Sequence, residues 1–201
     1  MDVLCIVGSA ASRSHTGALV GHLAKRLQQR GHAVRVWDLA EDPLPLADPL
    51  LYWSDDPHPH PAARAFIAAV ADADALVLGS ATHHASYSGV IKNALDHLWA
   101  DAFANRPVAL ASNAGGVRGS STACEHLRSV VKALAGWATP TQVTSCDDDF
   151  LESEAGRRLV NEAVRRRCEA IVDELARCAI ALRAPDRADD PEASVPARQS
   201  A

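Results

Sequence analysis

The sequence predicts an α/β protein in which a parallel sheet forms the middle layer of a three-layer sandwich. Short apolar segments rich in β-branched residues alternate with longer segments of helical period along the 201 residues. Apolar segments of this kind are typical of strands that are buried on both faces. Strict alternation of strands and helices implies parallel strands joined by right-handed crossovers, and the chain is long enough to form one domain with a substantial core.

The chain begins with a predicted strand, helix and strand. The segment VLCIVG at 3–8 is apolar throughout, and the segment 16–31 places leucines four residues apart before Gly31, which favours the end of a helix. Valines alternate with polar residues in the strand predicted at 33–39. The following segment, 41–61, is rich in proline, so we predict a long irregular loop there.

The rest of the chain continues the alternation. Helices are predicted at 62–73, 88–103, 120–136 and 153–182, and strands at 74–81, 107–116 and 138–146. Five strands and five helices thus make up a single predicted domain over residues 1–182. The segment 183–201 is rich in Pro, Ala and charged residues, a composition typical of a disordered tail.

Composition restricts the possible partners and the compartment. The net charge of −5 and a pI near 6.0 do not indicate nucleic-acid binding, and we interpret the basic run at 165–167 as a solvated helix face. The start of the chain has no basic segment and only a short apolar run, so we predict neither a signal peptide nor a membrane partner. Five cysteines without a CxxC pair favour reduced thiols and a cytoplasmic protein.

The turn after the first strand offers hydrogen-bond donors and no carboxylate. Its polar residues are Ser9, Ser12, Arg13, Ser14, His15 and Thr16. The amides at a helix N-terminus carry partial positive charge, so this turn suits a phosphate dianion. The motifs of a Walker A loop and of GxGxxG are both missing from it. The alternative is a well-capped helix with Ser14 or Thr16 as the N-cap.

The turns after the third and fourth strands share the same edge of the predicted sheet. The first gathers Ser80, Thr82, His83, His84, Ser86, Tyr87 and Ser88, and the second is SNAGGVRGSS at 112–121. Glycines let backbone amides approach a flat ligand, and Arg118 is a candidate partner for an anion. The alternatives are ordinary capped turns, with Ser88 and Ser120 or Ser121 as caps. One seat for a phosphate and two for a flat heterocycle together suggest flavin mononucleotide (FMN).

Two further groups of residues have simpler interpretations. His83 and His84 are adjacent in the sequence and have no nearby carboxylate, and the run CDDD at 146–149 is typical of a solvated turn, so we predict no metal site. Lys92 and Asp96 are four residues apart on one predicted helix and are expected to form a weak surface pair.

The segment SYSGVIKNALDHL at 86–98 resembles a sequence block of the NADPH-dependent FMN reductases. GSAASRSHT at 8–16 is similar to the phosphate loop of that family, and NAGGVRG at 113–119 stands where the family has a glycine turn beside the flavin. The resemblance implies a flavodoxin-like, FMN-binding domain with strand order 2-1-3-4-5. It also implies an enzyme that transfers a hydride from NADPH or NADH to FMN, for a small-molecule electron acceptor or a flavin-dependent monooxygenase.

Carried over residue by residue, the resemblance implies a set of cofactor-binding positions. The phosphate would be held by the first turn, and the ribityl chain and the ring by the other two. The residues are Ser9, Arg13, Ser14, His15, Thr16, Ala81, Thr82, His83, His84, Ser86, Asn113, Gly115 and Gly116. Ala81 and His83 stand where the family usually has proline and tyrosine, and Ala11 stands where it usually has arginine.

The resemblance leaves the role of the protein partly open. Because the flavin supplies the chemistry, no catalytic side chain is required, and His83 is the one candidate. An electron carrier, or an enzyme of specialised metabolism in which His83 and His84 act on an organic substrate, are the alternatives. The family commonly forms homodimers or homotetramers, and an apolar stripe is available for an interface unless it packs on the sheet. The stripe consists of Leu95, Leu98, Trp99 and Phe103.

Overall fold

The centre of the molecule is a parallel sheet, as predicted. The computed structural model describes residues 1–53, 57–116, 120–154 and 156–183, so the predicted tail from residue 184 onwards and Arg118 lie outside the described residues. The strands are β1 (Asp2–Gly8), β2 (Ala33–Asp38), β3 (Ala75–His83), β5 (Pro107–Ala114) and β6 (Trp137–Cys146), with the short β4 (Ser86–Tyr87) antiparallel to the end of β3. The parallel strands lie in the order β2-β1-β3-β5-β6, which confirms the predicted order 2-1-3-4-5.

Helices cover both faces of this sheet. They are α1 (His15–Gln29), α2 (Pro61–Ala71), α3 (Gly89–Leu95), α4 (Ser120–Ala133) and α5 (Glu162–Leu182). Alternate strand residues point to opposite faces: Leu4 and Ile6 of β1 pack in one core with α2, α3 and α4, whereas Val3 and Cys5 pack in the other with α1 and α5. Two apolar cores separated by a buried sheet define the three-layer sandwich.

Glycines allow α1 and α3 to approach the ends of two central strands. A Cβ on Gly79 of β3 would lie 2.1 Å from Cγ2 of Val20, and a Cβ on Gly8 of β1 would lie 2.7 Å from Cβ of Ile91. Real Cβ atoms do not approach other atoms so closely, so no larger residue fits without movement of a helix. The helices therefore come close to the sheet at the edge where the predicted site lies.

The helix predicted at 88–103 is wrong in its second half, because α3 ends at Leu95. The chain then turns so that Leu98 and Phe103 enter the core, and the Phe103 amide donates to the Leu134 carbonyl at 2.9 Å. These tertiary contacts override the helical period. Leu95, Leu98 and Phe103 are buried, so these three residues of the apolar stripe pack within the core, as in the alternative that the stripe packs on the sheet. Trp99 is 44% exposed.

The helix predicted at 153–182 is wrong at its start. A β-hairpin, β7 (Phe150–Ser153) and β8 (Gly156–Leu159), precedes α5, which begins only at Glu162. Asn161 caps α5 by accepting from the amides of Ala163 and Val164, and it donates to the buried carboxylate of Asp149 at 2.6 Å. The prediction that Asp149 belongs to a solvated turn is therefore wrong, because its buried carboxylate joins the hairpin to α5.

The proline-rich segment is mostly irregular but is held in place. It contains a short 3-10 helix at Pro49–Trp53. Asn93 of α3 accepts from the Ala47 amide and donates to the Pro45 carbonyl, and Nε2 of His97 lies 3.0 Å from that same carbonyl. The polar face of α3 thus fixes the loop beside it. In the described part of the chain, no helix is long and apolar enough to cross a membrane.

Candidate functional site

The three predicted turns lie side by side at the carboxyl edge of the sheet. Gly8 is level with Ser80 in the register of β1 and β3, and Ser80 is level with Ser112 in the register of β3 and β5. Ala81 is paired in the same way with Asn113. Loops that follow neighbouring parallel strands form the crevice in which ligands bind in open α/β sheets. The structure therefore brings all three turns together.

The first turn is a capped helix start with free amides. Ser14 is the N-cap of α1, and its Oγ accepts from the Gly17 amide at 3.0 Å, so the capping interpretation is correct for Ser14. Ser9 and Thr16 are buried, and Ser9 Oγ accepts from the Ala11 amide at 3.3 Å. The first amides of a helix have no intrahelical acceptor, so a capped start still offers donors to an anion.

Arg13 turns away from this seat. It is exposed, adopts a positive φ of 55°, and its guanidinium donates to the Glu154 carbonyl at 3.2 Å. Its own carbonyl accepts from the guanidinium of Arg157 on β8. The predicted phosphate ligand thus holds the β7–β8 hairpin in the structure.

His15 is enclosed by carboxylates rather than open to a phosphate. Its Nδ1 lies 3.1 Å from Oδ1 of Asp147, its Nε2 lies 3.4 Å from Oε1 of Glu152, and its ring packs on Phe150 with centroids 5.1 Å apart. Arg157 donates to Glu152 at 2.8 Å, and this hydrogen bond holds the pKa of Glu152 below its usual value. His15 therefore connects α1 to the hairpin.

Asn113 extends the same network into the sheet. Its side-chain amide donates to Oδ1 of Asp147 at 2.8 Å, and its Oδ1 accepts from Oγ of Ser145 at 2.8 Å. The side chain is buried and both ends of its amide are engaged. Asn113, Asp147 and His15 thus form one chain of contacts from β5 to α1, and Asp147 lies between the first and the third turns. This chain fixes the positions of the two turns relative to each other.

The second turn is joined to the first by hydroxyl groups. Ser88 caps α3, as predicted, and its Oγ donates to the Gly8 carbonyl at 2.8 Å. Ser80 Oγ accepts from the Ser88 amide at 2.9 Å. Two residues after Ser80, the Oγ1 atom of Thr82 is buried and has no hydrogen-bond partner among the described residues. A buried hydroxyl without a partner is costly, so Thr82 is a point at which a bound group would add stability.

A tight hairpin carries the two histidines of this turn. His83 is paired with Ser86, and the residues between them, His84 and Ala85, both have positive φ, at 49° and 61°. Both histidines are exposed. Ser86 Oγ lies 2.9 Å from Nδ1 of His126 on α4, a contact that fixes the base of the hairpin. The arrangement places His83 and His84 at the rim of the crevice.

The third turn presents bare backbone. A Cβ on Gly116 would meet no described atom within 4 Å, and a Cβ on Gly115 would meet only Asp147 Oδ2, at 3.9 Å. Neither glycine has the positive φ that would require glycine for conformational reasons. Both glycines are exposed to solvent, which leaves room for a flat ligand, and Ala81 of β3 is level with Asn113 of β5, two residues before Gly115.

Several residues of this edge escaped the sequence analysis. Asp147, Glu152 and Arg157 follow a strand or lie in the hairpin, and His126 lies on α4. Gly156, which has a φ of 117°, marks the turn of the hairpin and is the local signal that was available for it. No group of three metal-ligating side chains occurs within the ranges that the structure describes.

These features fit FMN. The helix start at residues 14–16 offers amides to a phosphate, the partnerless hydroxyl of Thr82 offers a hydrogen bond, and the glycines offer room for a flat ring. These donors are neutral, and the carboxylate of Asp147 beside them already accepts a hydrogen bond from the Asn113 side-chain amide. The geometry thus supports a phosphate at one end of the crevice and a heterocycle at the other.

Comparison with known proteins decides the family. The sequence pattern of the family described as NADPH-dependent FMN reductase matches residues 1–149. The chain belongs to this family. An FMN-dependent NADPH-azoreductase of Staphylococcus saprophyticus is 39% identical over 176 residues, which cover 87% of this chain and 93% of that relative.

Solved structures agree with this assignment at the level of the fold. An NADH:FMN oxidoreductase in its apo form matches with a TM-score of 0.72 at 19% identity, over 92% of this chain and 91% of that one. A flavodoxin from the domain Archaea matches with a TM-score of 0.59 at 10% identity, over 90% of this chain and 99% of that one. The predicted family, the flavodoxin-like fold and the prediction of an FMN-dependent NAD(P)H oxidoreductase are confirmed for this FMN reductase family member.

Proposed function

We propose that this member of the FMN reductase family uses NADPH to reduce a small planar acceptor of the azo-compound class, with FMN held between the three turns. The chemistry that FMN supplies when bound is electron transfer from a nicotinamide to the acceptor. The acceptor class is supported by relatives named FMN-dependent NADPH-azoreductases, at 39% and 37% identity over 87% of this chain. The single observation that carries the cofactor seat is the meeting of three donor- or glycine-rich turns at one sheet edge.

The residues divide into those that bind and those that position. Ser9, Thr16 and the first amides of α1 would hold the phosphate, because they are at the helix start and their turn contains no carboxylate. Thr82 would donate to or accept from the cofactor, and Gly115 and Gly116 would lie beside the ring. His15 and Asn113 act as positioning residues through Asp147, since their side chains are already engaged there.

The test is a spectrum of purified protein with FMN, followed by NADPH under anaerobic conditions. We expect the flavin band to bleach much faster than with free FMN, and an azo dye added afterwards to lose its colour as the flavin band returns. Bleaching by NADPH without any dye reduction would overturn the azo proposal. A flavin band that NADPH leaves unchanged would overturn the function as a reductase.

Two glycine variants test where the flavin ring binds. Gly116→Leu fills the proposed ring seat, whereas Gly21→Leu adds the same side chain to the exposed face of α1, where a Cβ also meets nothing within 4 Å. We expect both variants to fold, and only Gly116→Leu to lose FMN affinity. Equal FMN affinity in the two variants would contradict the placement of the ring.

We also propose a cytoplasmic homodimer or homotetramer. All five cysteines are free thiols, which fits a reducing compartment. Trp99 and two leucines of the proline-rich segment, Leu46 and Leu50, are exposed apolar side chains that an interface between subunits would cover. Light scattering after size-exclusion chromatography measures the mass directly, and a monomeric mass would contradict the proposed assembly.

A further inference from the structure

A second candidate site lies outside the three turns. A groove enclosing about 520 Å³ is formed by α1, β8 and the start of α5. It is lined by Ala18, Gly21, His22, Lys25, Arg26, Gln29, Arg157, Arg158, Leu159 and Arg165. Half of these residues are Lys or Arg, and none of those described carries a carboxylate, although the whole chain has a net charge of −5. Such a concentration of one sign of charge in a concave surface focuses a positive potential.

Some of these cations are already paired with carboxylates beyond the groove wall. Arg26 contacts Glu169 with Nη2–Oε2 at 2.9 Å, and Arg165 contacts Glu162 with Nη1–Oε2 at 3.3 Å. Arg157 is paired as well, with its Nε 2.8 Å from Oε1 of Glu152. Lys25 and Arg158 are exposed, and neither forms an ion pair within the described ranges. Lys25 and Arg158 therefore contribute charge that the protein does not neutralise locally.

His22 is surrounded by the charged side chains of the groove. Its Nε2 is buried and has no hydrogen-bond partner among the described residues. Burial has the largest effect and lowers the pKa of His22, and the charge of Arg165 lowers it further. Glu169 opposes this shift, and Arg26 and Lys25 each lower the pKa by less than Glu169 raises it. A lowered pKa favours the neutral imidazole, so the positive charge of the groove comes from its lysine and arginines.

We propose that this groove binds anions that carry a pyrophosphate group. Arginine presents a planar fork of donors that matches phosphate oxygens, and cations contributed by three separate elements can engage two linked phosphates at once. The enclosed volume admits a pyrophosphate together with part of an attached nucleoside. The groove contains none of the residues of the three turns, so the proposal does not depend on the proposed function.

Calorimetric titration of the FMN-loaded protein with inorganic pyrophosphate at low ionic strength tests the site. FMN keeps the phosphate seat of the first turn occupied, so added pyrophosphate reports on the groove. The variant Lys25→Ala/Arg158→Ala removes its two unpaired cations, and we expect Kd to rise at least about tenfold. The control Lys132→Ala/Arg177→Ala removes the same charges from exposed positions on α4 and α5 and should leave Kd unchanged.

Undetectable binding to the FMN-loaded protein, or equal Kd values for the groove variant and the control, would overturn the proposal. A parallel titration with NADP⁺ in the presence of pyrophosphate identifies the source of the anion. Competition would assign the groove to the pyridine nucleotide, and independent binding would assign it to another pyrophosphate compound; both results require the groove site. Rates of NADPH oxidation are measured separately, so failure of the groove and failure of the reductase function are distinguishable.

Discussion

Replacement of Thr82 by valine should stabilise the protein without FMN and weaken its binding of FMN. The Oγ1 atom of Thr82 is buried without a hydrogen-bond partner in the described chain. Valine has nearly the same shape and suits a strand, so the substitution removes the polar atom and leaves packing intact. The two effects have opposite signs because the hydroxyl costs free energy in the empty crevice and contributes a hydrogen bond when a ligand is present.

The size of each effect follows from the free energy of burying one hydroxyl group without a hydrogen bond. An unpaired buried hydroxyl costs about 1–3 kcal/mol, so we expect the free energy of unfolding of apoprotein Thr82→Val to rise by about 1 kcal/mol. For a chain of this length that corresponds to a rise of about 2–4 °C in Tm. One lost hydrogen bond of about 1 kcal/mol raises the Kd for FMN about fivefold.

Thr139→Val is the matched control. Thr139 is also a strand threonine, fully buried whereas Thr82 is half-buried, and its Oγ1 donates to the Thr141 carbonyl at 2.9 Å. Its replacement should lower Tm and leave FMN affinity unchanged. Thermal unfolding of both apoproteins, and fluorescence titration with FMN, give the two quantities independently.

Two results would refute the reasoning about Thr82. A lower Tm of the apoprotein would mean that its hydroxyl has a partner in the empty crevice. An unchanged Kd for FMN would mean that the cofactor does not contact Thr82, and the ring would then have to lie nearer to β5.

Two further predictions concern the α5 side of the molecule. Burial alone would raise the pKa of Glu169, but hydrogen bonds from Arg26 and Arg30 outweigh burial and lower the pKa. The ionised carboxylate therefore stabilises the fold fully above its unfolded pKa near 4.5, and this stabilisation is lost as the pH falls through the lower pKa of the folded state. Urea unfolding at several pH values should show that the wild-type protein loses this contribution below about pH 4.5. Glu169→Gln should have a lower free energy of unfolding at pH 7, and that free energy should change less with pH. Parallel curves of unfolding free energy against pH for the two proteins would contradict the pairing. Alkylation of native protein should modify the half-buried Cys178 first, because Cys5 is fully buried and its pKa is raised to about 12; equal rates by mass spectrometry would contradict this order.

The sheet could be predicted from the sequence because each strand is short, apolar and followed by a helix of clear period. The segments at 3–8 and 74–81 contain nearly all of β1 and β3, and their alternate residues enter the two cores. Buried parallel strands carry this signal within themselves. Strand order then followed from the family resemblance, since local sequence does not encode which strands are neighbours.

The errors lie where distant residues decide the local structure. The period of 88–103 is helical, yet the chain leaves the helix at Leu95 because Phe103 packs beside the end of α4. The β7–β8 hairpin was missed because charged residues at 152–158 follow no clear alternation and fit a surface helix equally well. In both places the local pattern permits a helix that tertiary contacts replace.

The candidate site also has features that local sequence predicts and features that only the fold determines. Turn chemistry located the three loops correctly, since glycines and hydroxyls at strand ends are local features. What sequence could not show is that the side chains of His15 and Asn113 are committed to Asp147, a residue from a different turn. Sequence spacing says which groups share an edge, and only the fold says which of them remain free for a ligand.

The network around Asp147 bears on how a carboxylate is accommodated beside the proposed phosphate site. A negative charge there would repel an anion. Oδ1 of Asp147 accepts a hydrogen bond from Asn113 and lies 3.1 Å from Nδ1 of His15, and these contacts offset part of the charge although the side chain is 46% exposed. The same contacts fix the start of α1, whose amides face the seat, while Glu152 holds the other side of the His15 ring from the hairpin. The hairpin that the sequence analysis missed is therefore part of what sets the position of the α1 amides that we propose as phosphate ligands.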